Sequence, residues 1–114
     1  GVDGVILSNH GGRQLDYAVS ALRVLPEIAD KAGEMVVMLD GGIRRGTDVL
    51  KALALGAKFV FVGRPFLYAA ATGGEAAVRH GIGLLSEEVD RDLALLGIRD
   101  VAELGPHHLR PRGA

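Results

Sequence analysis

The chain has 114 residues, 48% of them hydrophobic and 24% charged, with a formal net charge of −1 and no cysteine. This is the composition of a globular domain, and it excludes disulfides and thiolate metal sites. With 4% aromatics and near-zero charge there is neither a basic stripe nor a stacking surface for nucleic acid, and no apolar run approaches the ~20 residues of a membrane span.

The first element expected is a strand at Gly4-Val5-Ile6-Leu7, directly after a start that lacks Met. That start reads as the interior of a domain, either part of a larger protein or the partner of a separate chain. A short continuous apolar run suits a strand buried on both faces. Ser20 to Lys31 reads as a helix, with Leu22, Leu25, Ile28 and Ala29 at helical spacing. Pro26 belongs either to its first turn or to a kink, and Gly33 closes it. Met35 to Leu39 is the second buried strand. Thr47 is the expected N-cap of a helix from Asp48 to Leu55, with Asp48 set against the helix dipole. Phe59 to Val62 is the third strand. From Gly74 a long helix follows, its apolar stripe formed by Val78, Ile82, Leu85, Val89, Leu93 and Leu96. Gly81 and Gly83 weaken its first half, Glu87 and Arg91 stand four apart as an ion pair, and Gly97 ends it. Val101 to Leu104 forms one more turn, and 106–114 is a loose tail.

Alternating strands and helices define an α/β fold with a parallel sheet. Three βα units cannot close a (β/α)₈ barrel, which needs ~250 residues. The chain therefore reads as strands 6–8 of such a barrel over residues 1–105, incomplete on its own. A free-standing open sheet is the alternative, at the cost of long apolar edges.

Two loop types carry chemistry. Ser8-Asn9-His10-Gly11-Gly12-Arg13 puts a base and a guanidinium just past a strand end. Imidazole titrates near neutrality, and a guanidinium fork pairs with a carboxylate. Removing a proton from a molecule held by its carboxylate is the reading these residues suggest; a solvated turn is the plain alternative. Asp40-Gly41-Gly42-Ile43-Arg44 and Gly63-Arg64 each end a strand with glycine plus arginine. Glycine lets backbone N–H groups approach an anion, and a helix N-terminus adds partial positive charge. In (β/α)₈ barrels the loops after strands 7 and 8 commonly bind phosphate. Asp40 either accepts from a ligand hydroxyl or orders its loop. His80 reads as a surface residue, His107 and His108 lack the spacing of paired metal ligands, and Arg45 faces solvent or an acidic partner.

Ser8 to Asp16, Asp40 to Asp48, Lys51 to Ala57 and Gly63-Arg64-Pro65, in this order and spacing, resemble the C-terminal part of the FMN-dependent α-hydroxy acid dehydrogenases and oxidases. That family includes glycolate oxidase, lactate oxidase and dehydrogenase, mandelate dehydrogenase and flavocytochrome b2. The resemblance implies that His10 is the active-site base and Arg13 the ligand of the substrate carboxylate. It implies that Ser8 contacts the flavin, and that Asp40, Gly41, Gly42, Ile43, Arg44, Gly63 and Arg64 hold FMN, chiefly its ribityl phosphate. The implied reaction takes an L-2-hydroxy acid to the 2-keto acid, with electrons passing through FMN to oxygen, a quinone or another acceptor. The implied partners are a small 2-hydroxy acid, the N-terminal part of the barrel and further copies in a homo-oligomer, often a tetramer. The implied location is cytoplasmic, with peripheral membrane attachment in some relatives through a segment upstream of this region. Tyrosines, an aspartate and a lysine that complete the family's site come from earlier strands. Another FMN barrel sharing the phosphate loops, such as an inosinate dehydrogenase or type 2 isopentenyl isomerase relative, is a second reading. A non-catalytic phosphate-binding half-barrel is a third.

Overall fold

A computed structural model describes residues 1–112, so Gly113 and Ala114 of the expected tail lie outside the described residues. Strands β1 (Gly4–Leu7), β2 (Val36–Asp40) and β3 (Phe59–Phe61) form a parallel sheet in the order β1-β2-β3. Helices α1 (Ala21–Lys31) and α2 (Gly46–Ala54) connect them, and α3 (Arg64–Leu96) follows. The register pairs Ile6 with Met38 and Met38 with Phe59, while Leu7, Leu39 and Val60 share the neighbouring row.

Side chains alternate across a strand, and the two faces have different fates. Val37 and Leu39 are 3% and 0% exposed and pack with Leu25, Ala52 and Ala57 beneath the helices. Ile6 and Phe59, on the other face, remain 50% and 56% exposed. Burial on both faces, expected from the apolar runs, is thus corrected. Three strands cannot curve round to supply an opposite wall, so only the helix side is covered.

The helices depart from expectation in detail. α1 runs through Pro26, its sixth residue, rather than placing it in the first turn. Proline cannot donate to the carbonyl four residues back, and its exposed position leaves the carbonyl of Leu22 without its usual N–H donor. Gly33 follows α1 at φ 61° as expected of its terminator. α2 begins at Gly46, with Arg45 rather than Thr47 as N-cap. Asp48 explains the shift: its Oδ2 accepts the N–H groups of Arg44 and Arg45, both at 3.1 Å, and so fixes the entry two residues earlier.

The last helix starts at Arg64, ten residues before the expected Gly74, with Pro65 in its first turn. Its backbone breaks at Gly73 and Gly74, not at Gly81 or Gly83. Of the expected stripe only Leu93 is fully buried; Ile82 stays 49% exposed. Among the described residues Glu87 and Arg91 form no ion pair. Gly97 ends the helix in the left-handed conformation. Val101–Glu103 makes the expected turn, capped by Asp100, whose side chain accepts from the N–H of Ala102 at 2.8 Å. Pro106–His108 forms a further turn, and half-buried Leu109 lies in a groove with Leu50 and Leu96, so this part of the tail is folded back rather than loose.

Candidate active site

Parallel strands end at one edge of the sheet, so the loops after β1, β2 and β3 stand side by side. Together they line a cleft of about 410 Å³. The first loop brings His10, Gly11 and Arg13, the second Asp40 to Arg44, and the third Gly63, Arg64 and Pro65. All the residues given a binding or catalytic role from the sequence line this cleft except Ser8, which is hydrogen-bonded to the lining residue Asp40. Ile43 is 4% exposed and packs into the core, which leaves its main chain to face a ligand. Phe61 and Leu67 add apolar walls; neither stands in a polar motif that would have marked it.

Ser8 organises the first loop. Its Oγ donates to Asp40 Oδ2 at 2.6 Å and accepts the N–H of His10 at 3.0 Å. His10 has φ 54°, the left-handed region that a residue with a Cβ adopts only under constraint. The constraints are visible: the N–H bond to Ser8, Gly12 N–H to the carbonyl of Asn9 at 3.0 Å, and Arg13 N–H to the carbonyl of His10 at 3.2 Å. Asn9 anchors the far end of the loop by donating to the carbonyl of Val19 at 3.3 Å. Gln14 Nε2 lies 3.2 Å from His10 Nδ1, so its carboxamide steers the orientation of the imidazole. Neither Asn9 nor Gln14 was assigned a role from the sequence, because their partners become apparent only once the loop has closed.

The second loop turns through Gly41 (φ 97°) and Gly42 (φ 82°). Asp48 takes the N–H groups of Arg44 and Arg45, whereas those of Gly41 and Gly42 have no protein acceptor among the described residues. A Cβ at Gly42 would meet nothing within 4 Å, so the turn leaves space over its donors. Arg45 turns away from the cleft and pairs with Glu88 of α3, Nη2 to Oε1 at 2.7 Å, which answers where its charge goes. The hydrogen bond from Arg45, and then the N–H of Gly46, hold the Glu88 carboxyl below its ordinary value, and Glu88 in turn raises Arg45.

Three arginines, Arg13, Arg44 and Arg64, share the cleft with one carboxylate, Asp40, whose Oδ2 is already engaged. The N-terminus of α3 points its partial positive charge into the same space. The fold and the cleft together define a class: consecutive parallel βα units with an arginine-lined cleft at the C-terminal edge of their strands. The chain belongs to the FMN-dependent dehydrogenase family, whose model matches residues 1–111.

Among its relatives, the peroxisomal (S)-2-hydroxy-acid oxidase GLO4 of Oryza sativa subsp. japonica is 52% identical across 99% of this chain and 31% of its own length. The (S)-mandelate dehydrogenase of Pseudomonas putida is 50% identical across 99% of this chain and 28% of its own. A crystal structure of the monotopic membrane protein (S)-mandelate dehydrogenase superposes with a TM-score of 0.95 at 49% identity, covering 98% of this chain and 30% of that one. The flavin-binding domain of baker's yeast flavocytochrome b2 does so at 0.91 and 49%, covering 96% and 30%. The chain thus spans about a third or less of the relatives it matches, and its three βα units are a partial (β/α)₈ barrel. No helix among the described residues is long and apolar enough to cross a membrane.

FMN carries a phosphate on a polyol chain attached to a flat ring. The cleft has the corresponding features: guanidinium groups and free glycine N–H donors for an anion, Asp40 for hydroxyls, and Phe61 and Leu67 for apolar surface. The residues present fit the group.

Proposed function

We propose that this chain supplies the base, the carboxylate clamp and the phosphate grip of an FMN-dependent enzyme that oxidises an L-2-hydroxy acid to the 2-keto acid. The reading is supported above all by one observation: His10 and Arg13 share a single cleft with Arg44, Arg64 and the Gly41–Gly42 turn. The names of the relatives, an (S)-2-hydroxy-acid oxidase and an (S)-mandelate dehydrogenase, agree with it.

Arg13 engages the substrate carboxylate with its planar fork, which fixes both position and orientation. His10, held by Ser8 and steered by Gln14, accepts the proton that the substrate loses as its carbinol becomes a ketone. A general base so placed contributes about 10²–10⁴ in rate. Bound FMN supplies the two-electron acceptor for that oxidation. Arg44, Arg64 and the N–H groups of Gly41 and Gly42 would hold its phosphate, and Asp40 and Ser8 would contact the rest of the cofactor.

The remaining barrel units, on the same or another polypeptide, cover the exposed sheet face, and copies associate into a homo-oligomer. The relatives include a peroxisomal enzyme and a monotopic membrane protein, and a cytoplasmic location is our proposal for this one. The test is an anaerobic titration of the full-length, FMN-loaded protein with glycolate, L-lactate and (S)-mandelate. Bleaching of the flavin band by at least one acid is expected. A flavin left oxidised by all three would reject the reaction.

A further inference from the structure

Arg64 reaches across the cleft to the loop that carries the base. Its Nη2 donates to the carbonyl of Gly11 at 3.1 Å, a contact between residues 53 positions apart. Gly11 is the immediate neighbour of His10 and stands two residues before Arg13. The approach is close from the other side too: a Cβ on Gly11 would lie 2.7 Å from the same Nη2. Gly11 sits at φ 64° and ψ 23°, so its missing side chain serves both the left-handed turn and the access of the guanidinium.

We infer that Arg64 is a positioning residue for the base as well as an anion ligand. One of its five N–H donors is spent on the Gly11 carbonyl, and the others remain available to a phosphate in the same plane. The guanidinium therefore joins the third loop, where the cofactor's phosphate would be gripped, to the turn that presents His10 and Arg13. Binding an anion fixes the guanidinium, and the fixed guanidinium holds the turn. By linkage, ordering the turn strengthens anion binding by the same factor. Lysine cannot replace it, since a single ammonium on a flexible stem does not serve two acceptors in fixed directions.

The inference rests on His10 being the base, and its test separates the two ideas. In the full-length protein, Arg64→Lys and Gly11→Ala are compared with wild type and with His10→Gln. Hydrogen exchange of residues 8–16 is followed without FMN and at saturating FMN, and flavin reduction by the most effective acid is timed on the loaded proteins. Both variants are expected to exchange several-fold faster in 8–16 even without FMN. When loaded, they are expected to reduce about tenfold or more slowly, the scale of a misplaced catalytic group. An arginine that only binds phosphate predicts weaker FMN affinity, with wild-type exchange in the FMN-free protein and a wild-type rate once loaded. That result in Arg64→Lys, with His10→Gln inert, overturns this inference and leaves the base in place. Wild-type reduction by His10→Gln overturns the base and this inference with it.

Discussion

Ser8 and Asp40, 32 positions apart, are joined by a 2.6 Å hydrogen bond between hydroxyl and carboxylate. The bond ties the end of β1 to the end of β2, and the same Ser8 oxygen accepts the N–H of His10 at 3.0 Å. Two bonds in series thus run from the second strand to the backbone of His10. Ser8→Ala removes both and leaves His10 to sustain a left-handed backbone with one constraint fewer. A hydrogen bond to a charged group is worth about 1.5–3 kcal/mol when shielded, and this one is exposed. A loss of about 1 kcal/mol in urea unfolding is therefore expected, together with slower flavin reduction. A variant matching wild type in both would show that the link has no hold on the loop.

His10→Gln keeps a hydrogen-bonding side chain of similar reach but provides no base near neutral pH. The full-length variant is expected to bind FMN normally and to lose about 10²–10⁴ in the anaerobic reduction rate. Stopped-flow absorbance in the flavin band measures it.

Arg13→Lys retains the positive charge and loses the fork. Substrate affinity is expected to fall about tenfold or more, since a bidentate charge-assisted pair becomes a single contact. The dependence of the reduction rate on acid concentration gives the number, while FMN affinity stays unchanged.

Gly46 lies where α2 crosses α3. A Cβ there would stand 2.6 Å from Glu88 Cβ and 2.7 Å from the backbone of Glu88 and Val89. Backbone cannot rotate aside as a side chain does, so Gly46→Ala must push the helices apart. Overpacking of this kind costs about 1–3 kcal/mol, and a clear fall in Tm is expected by calorimetry. Wild-type melting would mean the helices separate freely.

Glu88 links acid pH to the same helix pair. Its carboxyl is held below the ordinary value of 4.5, first by the hydrogen bond from Arg45 and then by the N–H of Gly46. A carboxyl depressed in the folded state adds stability above its unfolded pKa and loses it as pH falls through the folded one. The gap in Tm between wild type and Glu88→Gln should therefore be widest well above pH 4.5 and close as the pH falls below it. A gap that does not vary with pH would assign the effect to packing.

The apolar runs at Val5-Ile6-Leu7 and Val36 to Leu39, and the polar loops after them, determined by themselves that this is an α/β chain whose candidate site residues follow its strand ends. Run length, periodicity and turn residues are local properties, and local sequence encodes them. His10, Arg13, Arg44 and Arg64 were likewise legible as candidates, since each follows a strand and lies within two residues of a glycine. Only the tertiary structure decided that Arg64 meets the carbonyl of Gly11, that Arg45 turns back to Glu88, and that the helix following β3 begins at Arg64 and breaks at Gly73–Gly74. Those outcomes depend on partners some 40 to 50 positions away, or on which face a neighbour covers. The exposed face holding Ile6 and Phe59 follows the same rule: an apolar side chain specifies that burial is favourable, whereas the packing of other elements determines whether it occurs.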